Sequence, residues 1–239
     1  MGKWRRMMGL AVGAFVVAPL PAAVATGTAV ASASNWAVVA HAQPVVGSGE
    51  LYATACDAAE CVAVGASPTS PFLYTTLAEV RTSSGWTRVA TPALAGTTSS
   101  VLSSVTCPAV HDCIAVGNES FSRGGSTLVE RWDGTRWSVV PSANGHGFDS
   151  ALLGVWCQSS SNCVAVGDSE AATLVERWDG HTWRVQNSPS PTRDESNDSL
   201  LAVDCPGTKL CFAVGTEVTG GDDEANTFVE QWDGTRWSI

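Results

Sequence analysis

Residues 102–117 read LSSVTCPAVHDCIAVG, and this stretch decides the fold because the chain writes it four times. The other copies are LYATACDAAECVAVG (51–65), LLGVWCQSSSNCVAVG (152–167) and LLAVDCPGTKLCFAVG (200–215). Their leading cysteines, Cys56, Cys107, Cys157 and Cys205, are spaced by 51, 50 and 48 residues. A period near fifty marks an array or propeller, in which each unit buries its apolar face against a neighbour.

Working outward from the cysteines, each unit contains four strand-like segments. Segment a is L-x-x-V-x-Cys, with Thr54 replacing the Val in the first copy. Segment b is Cys-[VIF]-A-V-G and ends at Gly65, Gly117, Gly167 and Gly215. Segment c is T-[LF]-V-E-x-W, loosened to TLAEVR in the first copy, and segment d carries a Trp followed by Val or Ile. The segments are short, rich in β-branched and aromatic residues, and bounded by Gly, Pro, Asp and Ser. No stretch after the N-terminal region keeps a helical period. The expected fold is all-β: a β-propeller of about four four-stranded blades, with units near 49–90, 100–141, 150–188 and 199–239.

Segments c and d meet in TLVERWDGTRWSVV (127–140), with close copies at 173–185 and 227–239. Asp133-Gly134 predicts a two-residue type I′ hairpin that sets Trp132 opposite Thr135 and Glu130 opposite Trp137. Leu128, Glu130, Trp132, Trp137 and Val139 then share one face. Eight of the ten tryptophans hold such c/d positions, Trp36 and Trp86 included. That places them between blades, as packing. Glu79, Glu130, Glu176 and Glu230 recur at one place in every unit. A catalytic carboxylate should break the symmetry, so these four read as structural.

The first residues combine Lys3, Arg5 and Arg6 with an apolar run and then Ala31-Ser32-Ala33, the pattern of a secretory signal peptide over residues 1–33. The rest would then be extracellular, with no membrane insertion once the signal is removed. Removing those three cations from 13 basic and 23 acidic side chains leaves 10 against 23, a net −13. Such a charge excludes a nucleic-acid partner, because neutralising phosphates needs patches of Lys and Arg. In an oxidising compartment the eight cysteines read as four local disulfides, Cys56–Cys61, Cys107–Cys113, Cys157–Cys163 and Cys205–Cys211. No Cys-x-x-Cys or neighbouring His pair is present to build a zinc site.

On these segments the chain resembles the kelch and galactose-oxidase-like β-propeller repeats. The resemblance is carried by CVAVGDSEAATLVERWDGHTWRV (163–185): a hydrophobic strand ending in glycine, a variable loop, then an aromatic-Asp turn and a Trp. The Asp-Gly-x-x-Trp piece also resembles the Asp-box turn of sialidase-type propellers. It departs from kelch in having a single Gly where that repeat has a doublet, and in having four complete units. NWAVV (35–39) looks like a lone segment d, which is one strand more than a four-blade ring needs. It is expected to be an extra edge strand, or else the chain is a truncated longer propeller.

In a propeller the a–b and c–d loops emerge on one rim and the b–c and d–a loops on the other. The first set repeats from unit to unit, whereas the second diverges, as NESFSRGGS, DSEAA and TEVTGGDDEAN show. Binding loops are free to diverge. A ligand site is therefore expected on the b–c/d–a rim, drawing on Glu119, Arg123, Asp168, Glu170, Asp194, Glu195, Asp222, Asp223 and Glu224. No cofactor is required, although Asp222-Asp223-Glu224 could offer oxygen ligands to calcium. No nucleophile elbow, His-Glu-x-x-His or phosphate loop is present. The function expected is that of a secreted, non-catalytic binding module for a protein or a cell-surface glycan. The alternatives are a glycan-active hydrolase or lyase at the channel mouth, and a structural cell-wall-associated repeat protein.

Overall fold

The computed structural model describes residues 48–145, 147–170, 172–191, 198–218 and 225–239. The expected signal peptide and the strand at 35–39 lie outside them. Sixteen strands form four antiparallel sheets, each in plain sequential order. Blade 1 holds β1 (Glu50–Cys56), β2 (Cys61–Ser70), β3 (Leu73–Thr82) and β4 (Gly85–Val89). Blade 2 holds β5 (Ser99–Ala109), β6 (Asp112–Phe121), β7 (Gly124–Trp132) and β8 (Trp137–Val139). Blade 3 holds β9 (Ser150–Ser159), β10 (Asn162–Ser169), β11 (Ala172–Trp178) and β12 (Trp183–Gln186). Blade 4 holds β13 (Ser199–Gly207), β14 (Leu210–Val218), β15 (Ala225–Trp232) and β16 (Trp237–Ser238). These are propeller blades, and the repeat read from the cysteines is the blade.

Each blade is closed at one end by its own disulfide, which joins the a and b strands with their Cα atoms 4.0 Å apart. A loop this short contributes about 2 kcal/mol in the chain-entropy account. The glycine that ends each b motif has an equally local cause. Opposite it, strand a bulges, with register shifts between Leu51 and Ala53, Leu102 and Ser104, Leu152 and Gly154, and Leu200 and Ala202. The bulge drives a carbonyl onto the glycine: a Cβ on Gly117 would sit 1.9 Å from the Val101 oxygen. The same clash awaits Gly65, Gly167 and Gly215 at 1.9 to 2.1 Å. Only a residue without a side chain fits beside the bulge.

The core lies between blades. Three apolar clusters join blades 1 and 2, blades 2 and 3, and blades 3 and 4. In each, small β-branched side chains of one blade meet the leucines and tryptophans of the next. At the first junction Val62, Val64, Ala78 and Val80 pack on Leu102, Val105, Leu128, Trp132 and Trp137. The inner strands β1, β5, β9 and β13 follow one another in space, and the short d strands lie outermost. No such cluster joins the described residues of blades 4 and 1.

The c–d hairpin corrects the expected register. Trp132 pairs directly with Trp137 and Glu130 with Val139, a two-residue offset from the type I′ arrangement. The connection is a four-residue loop in which the Asp133 carboxylate does the closing. Its Oδ1 accepts from the Thr135 amide, the Thr135 hydroxyl and the Arg136 amide at 2.9, 2.6 and 2.9 Å. Gly134 takes φ +88°. Asp side chains that bond the backbone two or three residues on compete with the tight two-residue turn. Because the offset is even, the shared face survives, and it brings two indoles together with centroids 5.7 Å apart. The pairs Trp178–Trp183 and Trp232–Trp237 repeat this at 5.6 and 5.8 Å.

Candidate functional site

The cysteine rim is occupied by its own hydrogen bonds. Asp57 Oδ1 accepts from the Ala59 and Glu60 amides at 2.6 and 2.8 Å, folding the a–b loop of blade 1. Its Oδ2 accepts from the His111 amide, which belongs to the a–b loop of blade 2. Glu60 Oε1 accepts from the Trp132 indole at 2.6 Å and lies 3.1 Å from His111 Nδ1. Asp57, Glu60 and His111 thus stand close enough to hold a metal ion. Three of their four carboxylate oxygens already accept hydrogen bonds, so the group works as a clasp between blades 1 and 2. The Glu60 carboxylate bonded to the His111 ring raises the imidazole above its ordinary range. In the sequence His111 is one of four scattered histidines, and no pattern in the chain links it to residues fifty positions away.

Between blades runs a second repeated device. A threonine on strand c meets a hydroxyl of the d–a linker fifteen residues on: Thr76 with Thr91 at 2.8 Å, Thr127 with Ser142 at 2.8 Å, Thr173 with Ser188 at 3.1 Å. The glutamate of the following blade points at the pair. Glu176 accepts from Ser142 and the Ala143 amide at 2.7 and 3.1 Å, and Glu230 accepts from Ser188 at 2.6 Å. Thr76 is the polar group beside Glu130, although neither Glu130 oxygen meets strict hydrogen-bond geometry. Glu130, Glu176 and Glu230 are wholly buried. Desolvation pushes Glu130 up to about 8 and Glu230 to about 7, and raises Glu176 as well. The four repeated glutamates were expected to be structural, and these three sit in blade junctions.

The opposite rim is built differently. Phe148 lies there between β8 and β9, and its backbone is held by residues of blades 2 and 3. The Phe148 amide donates to Glu170 Oε1 at 2.6 Å, and its carbonyl accepts from the Gly125 amide at 2.7 Å. Around this clamp the backbone leaves its usual regions: Asn144 and Glu170 have φ of +56° and +46°, Gly124 and Gly147 of +122° and +116°. A Cβ on Gly124 would meet the Phe148 oxygen at 2.0 Å, and one on Gly147 the Glu170 side chain at 1.8 Å. Asn144 Oδ1 compensates by accepting from both the amide and the hydroxyl of Thr127. With both backbone groups bonded, the Phe148 ring stands 79% exposed. Phe72, in the b–c turn of blade 1, is 87% exposed. Backbone strain over-determined by its surroundings, beside a displayed apolar ring, is an arrangement met at ligand clamps.

Of the residues expected on this rim, four are described. Glu119 lies half-buried on β6, and desolvation raises its carboxyl. Arg123 is exposed in the β6–β7 turn. Asp168 ends β10 half-buried, its carboxyl raised by burial and partly offset by the Ser199 hydroxyl donating at 2.8 Å across the blade 3–blade 4 junction. Glu170 is the clamp on Phe148. No hydrogen bond or ion pair joins these four to one another among the described residues, so they share a rim without forming one cluster. Asp194, Glu195, Asp222, Asp223 and Glu224 lie outside the described residues. Phe72 and Phe148 escape a reading that follows charge. The available signal is an apolar ring set among loop formers, in SPF (70–72) and NGHGFDS (144–150).

Comparison with known proteins gives likeness at the level of solved structures. No family model and no curated protein matches the chain. Among solved structures it is similar to a fucose-specific lectin from Aleuria aurantia, in a mercury-derivative form, with a TM-score of 0.48 and 10% identity. The match covers 74% of this chain, and the chain spans 55% of that lectin's length.

Proposed function

We propose that the chain is a non-catalytic binding module that engages a protein or a cell-surface glycan through its b–c/d–a rim. The observation that supports this most is Phe148: a loop spends positive-φ backbone and a backbone clamp on holding an aromatic ring in solvent. An exposed ring on a rigid mount offers contact area with little ordering entropy left to lose, which is what an anchor residue needs. Phe72 displays a second ring on the same rim, which also carries Glu119, Arg123 and Asp168. The cysteine rim lacks this character, since its carboxylates are spent on loop closure and blade clasps. Four disulfides among the described residues, with no free cysteine, fit an extracellular setting. No described helix is long and apolar enough to cross a membrane.

The test is to present the purified chain to arrays of immobilised glycans and of extracellular proteins. Phe148→Ser should weaken whatever is captured by about tenfold or more, the cost of truncating an aromatic anchor. Turnover of a glycoside substrate that is abolished by Asp168→Asn would contradict the non-catalytic reading.

A further inference from the structure

Charge is divided between the two rims. Of the nine Lys and Arg among the described residues, eight lie on the c–d hairpins or in the a–b loop of blade 4, toward the cysteine rim. Seven acids lie at that end too, and four of them, Asp112, Asp133, Asp179 and Asp233, pair with arginines. The b–c/d–a rim carries Glu50, Glu119, Asp149, Asp168, Glu170 and Glu217, all reaching solvent, with Arg123 as its one described cation. None of these six carboxylates takes part in an ion pair among the described residues. Unpaired charge of one sign on one face sets up a field that the balanced rim lacks.

Part of that charge stands where Phe148 is displayed. Asp149 follows the ring in the chain and Glu170 clamps its backbone, and both residues are exposed. Asp149 Oδ1 also borders Gly125, whose amide holds the Phe148 carbonyl: a Cβ on that glycine would meet the Asp149 oxygen at 3.2 Å. Glu170 gives Oε1 to the Phe148 amide, and its other oxygen has no hydrogen-bond partner among the described residues. An aromatic face attracts a cation through its negative π surface, and a carboxylate beside it adds charge-assisted hydrogen bonds to the same cation. An anionic glycan would meet like charge on this rim.

We infer that the partner of this rim is a basic protein segment, with an Arg or Lys side chain laid over the Phe148 ring and paired with the Asp149 and Glu170 carboxylates. The inference rests on the binding reading above and deepens it, choosing a protein over a glycan and fixing the sign of its charge. Charge complementarity makes the choice: the exposed ring alone would suit a neutral sugar as well, but unpaired carboxylates around the rim favour a cation. Arg123 precedes Gly124, which abuts the Phe148 carbonyl, so it is the one described cation placed to oppose such a partner. Its removal should therefore strengthen binding, the reverse of what removing a carboxylate does.

Fluorescence anisotropy with two short labelled peptides tests it, one alternating Gly and Arg and one with citrulline in place of every Arg. The arginine peptide should bind, more weakly as salt rises, and the citrulline peptide should bind at least about tenfold less well. Asp149→Asn/Glu170→Gln, which keeps an acceptor for the Phe148 amide, should weaken binding of the arginine peptide by about tenfold, and Phe148→Ser by a similar factor. Arg123→Glu should strengthen it several-fold. Asp204→Lys, beside Cys205, makes the same change in net charge on the cysteine rim and should leave affinity within about twofold. All these positions are exposed, so thermal melts should show each variant folded. No binding of the arginine peptide, equal binding of the citrulline peptide, or equal losses in Asp149→Asn/Glu170→Gln and Asp204→Lys would each overturn the proposal. Capture of a neutral glycan that Phe148→Ser abolishes, with no binding of the arginine peptide, would overturn this choice of partner while the binding reading stands.

Discussion

The repeated body of the blades, cysteine rim included, and the b–c/d–a rim solve opposite problems with the same backbone. In the body the repeated polar groups serve the fold: disulfides clip a to b, Asp133 and its equivalents close the hairpins, and buried glutamates sit at the junctions. On the other rim, bonds of the same kind serve to display a side chain, with Glu170 and Gly125 holding the Phe148 backbone while its ring meets water. The difference teaches that similar local devices, positive-φ residues included, serve two ends here: at His111 and Gly134 they close the fold, and around Phe148 they hold a backbone whose side chain faces outward.

The strongest way to break that comparison is at a repeated glycine. Gly117→Ala sets a methyl 1.9 Å from a backbone oxygen in the middle of a blade. The unfolding free energy should fall by several kcal/mol, in the range of severe core lesions, and the denaturation midpoint with it. Gly207, at the end of β13, has open space within 4 Å of where a methyl would stand, so Gly207→Ala should leave the midpoint nearly unchanged. Equal effects at the two positions would remove the bulge as the reason for the motif.

A smaller effect, a few kcal/mol by order of magnitude, attaches to Glu130. Its folded carboxyl is raised to about 8 from an ordinary 4.5 because burial disfavours the charged form. The stability associated with it is therefore fully present below pH 4.5 and is lost as pH rises through 8. Melting temperature should decline across that window, and Glu130→Gln should flatten the decline while keeping the wild-type value near pH 5. Melts in matched buffers at several pH values would check it. A Glu130→Gln profile as steep as the wild type would move the pH dependence elsewhere, to Glu230 first.

Removing one clip, as in Cys157→Ser/Cys163→Ser, should cost about 2 kcal/mol, measured by denaturant unfolding under non-reducing conditions. The smallest effect sharpens the comparison from the other side. Phe148→Ser should change stability by no more than about 0.5 kcal/mol, as surface substitutions do, because the ring packs on nothing that the fold needs.

Much of this architecture is legible in the residues alone. Blade number, strand order, disulfide pairing and the face shared by Leu128, Glu130 and the tryptophans follow from spacing and alternation, both of which are local. The hairpin register is not, because Asp133 satisfies two amides at once and a dipeptide rule sees only Asp-Gly. The clasp of Asp57, Glu60 and His111 is not, because it joins loops fifty residues apart by side-chain reach alone. Phe148 stays hidden for a third reason: its exposure on a bonded backbone comes with φ values at Asn144, Gly147 and Glu170 that composition does not display.

The claim that one rim binds while the other only holds is tested most directly by a paired substitution screen. Phe72→Ser/Phe148→Ser would be compared with Val110→Ser/Arg136→Ser, which removes an exposed apolar and a charged side chain from the cysteine rim. Both proteins should melt within a degree or two of wild type, and each would be read by surface plasmon resonance against the glycans and proteins captured by the wild type. The account predicts loss of capture for the first pair and wild-type affinity for the second. Retained capture by the phenylalanine pair together with loss in the cysteine-rim pair would contradict it.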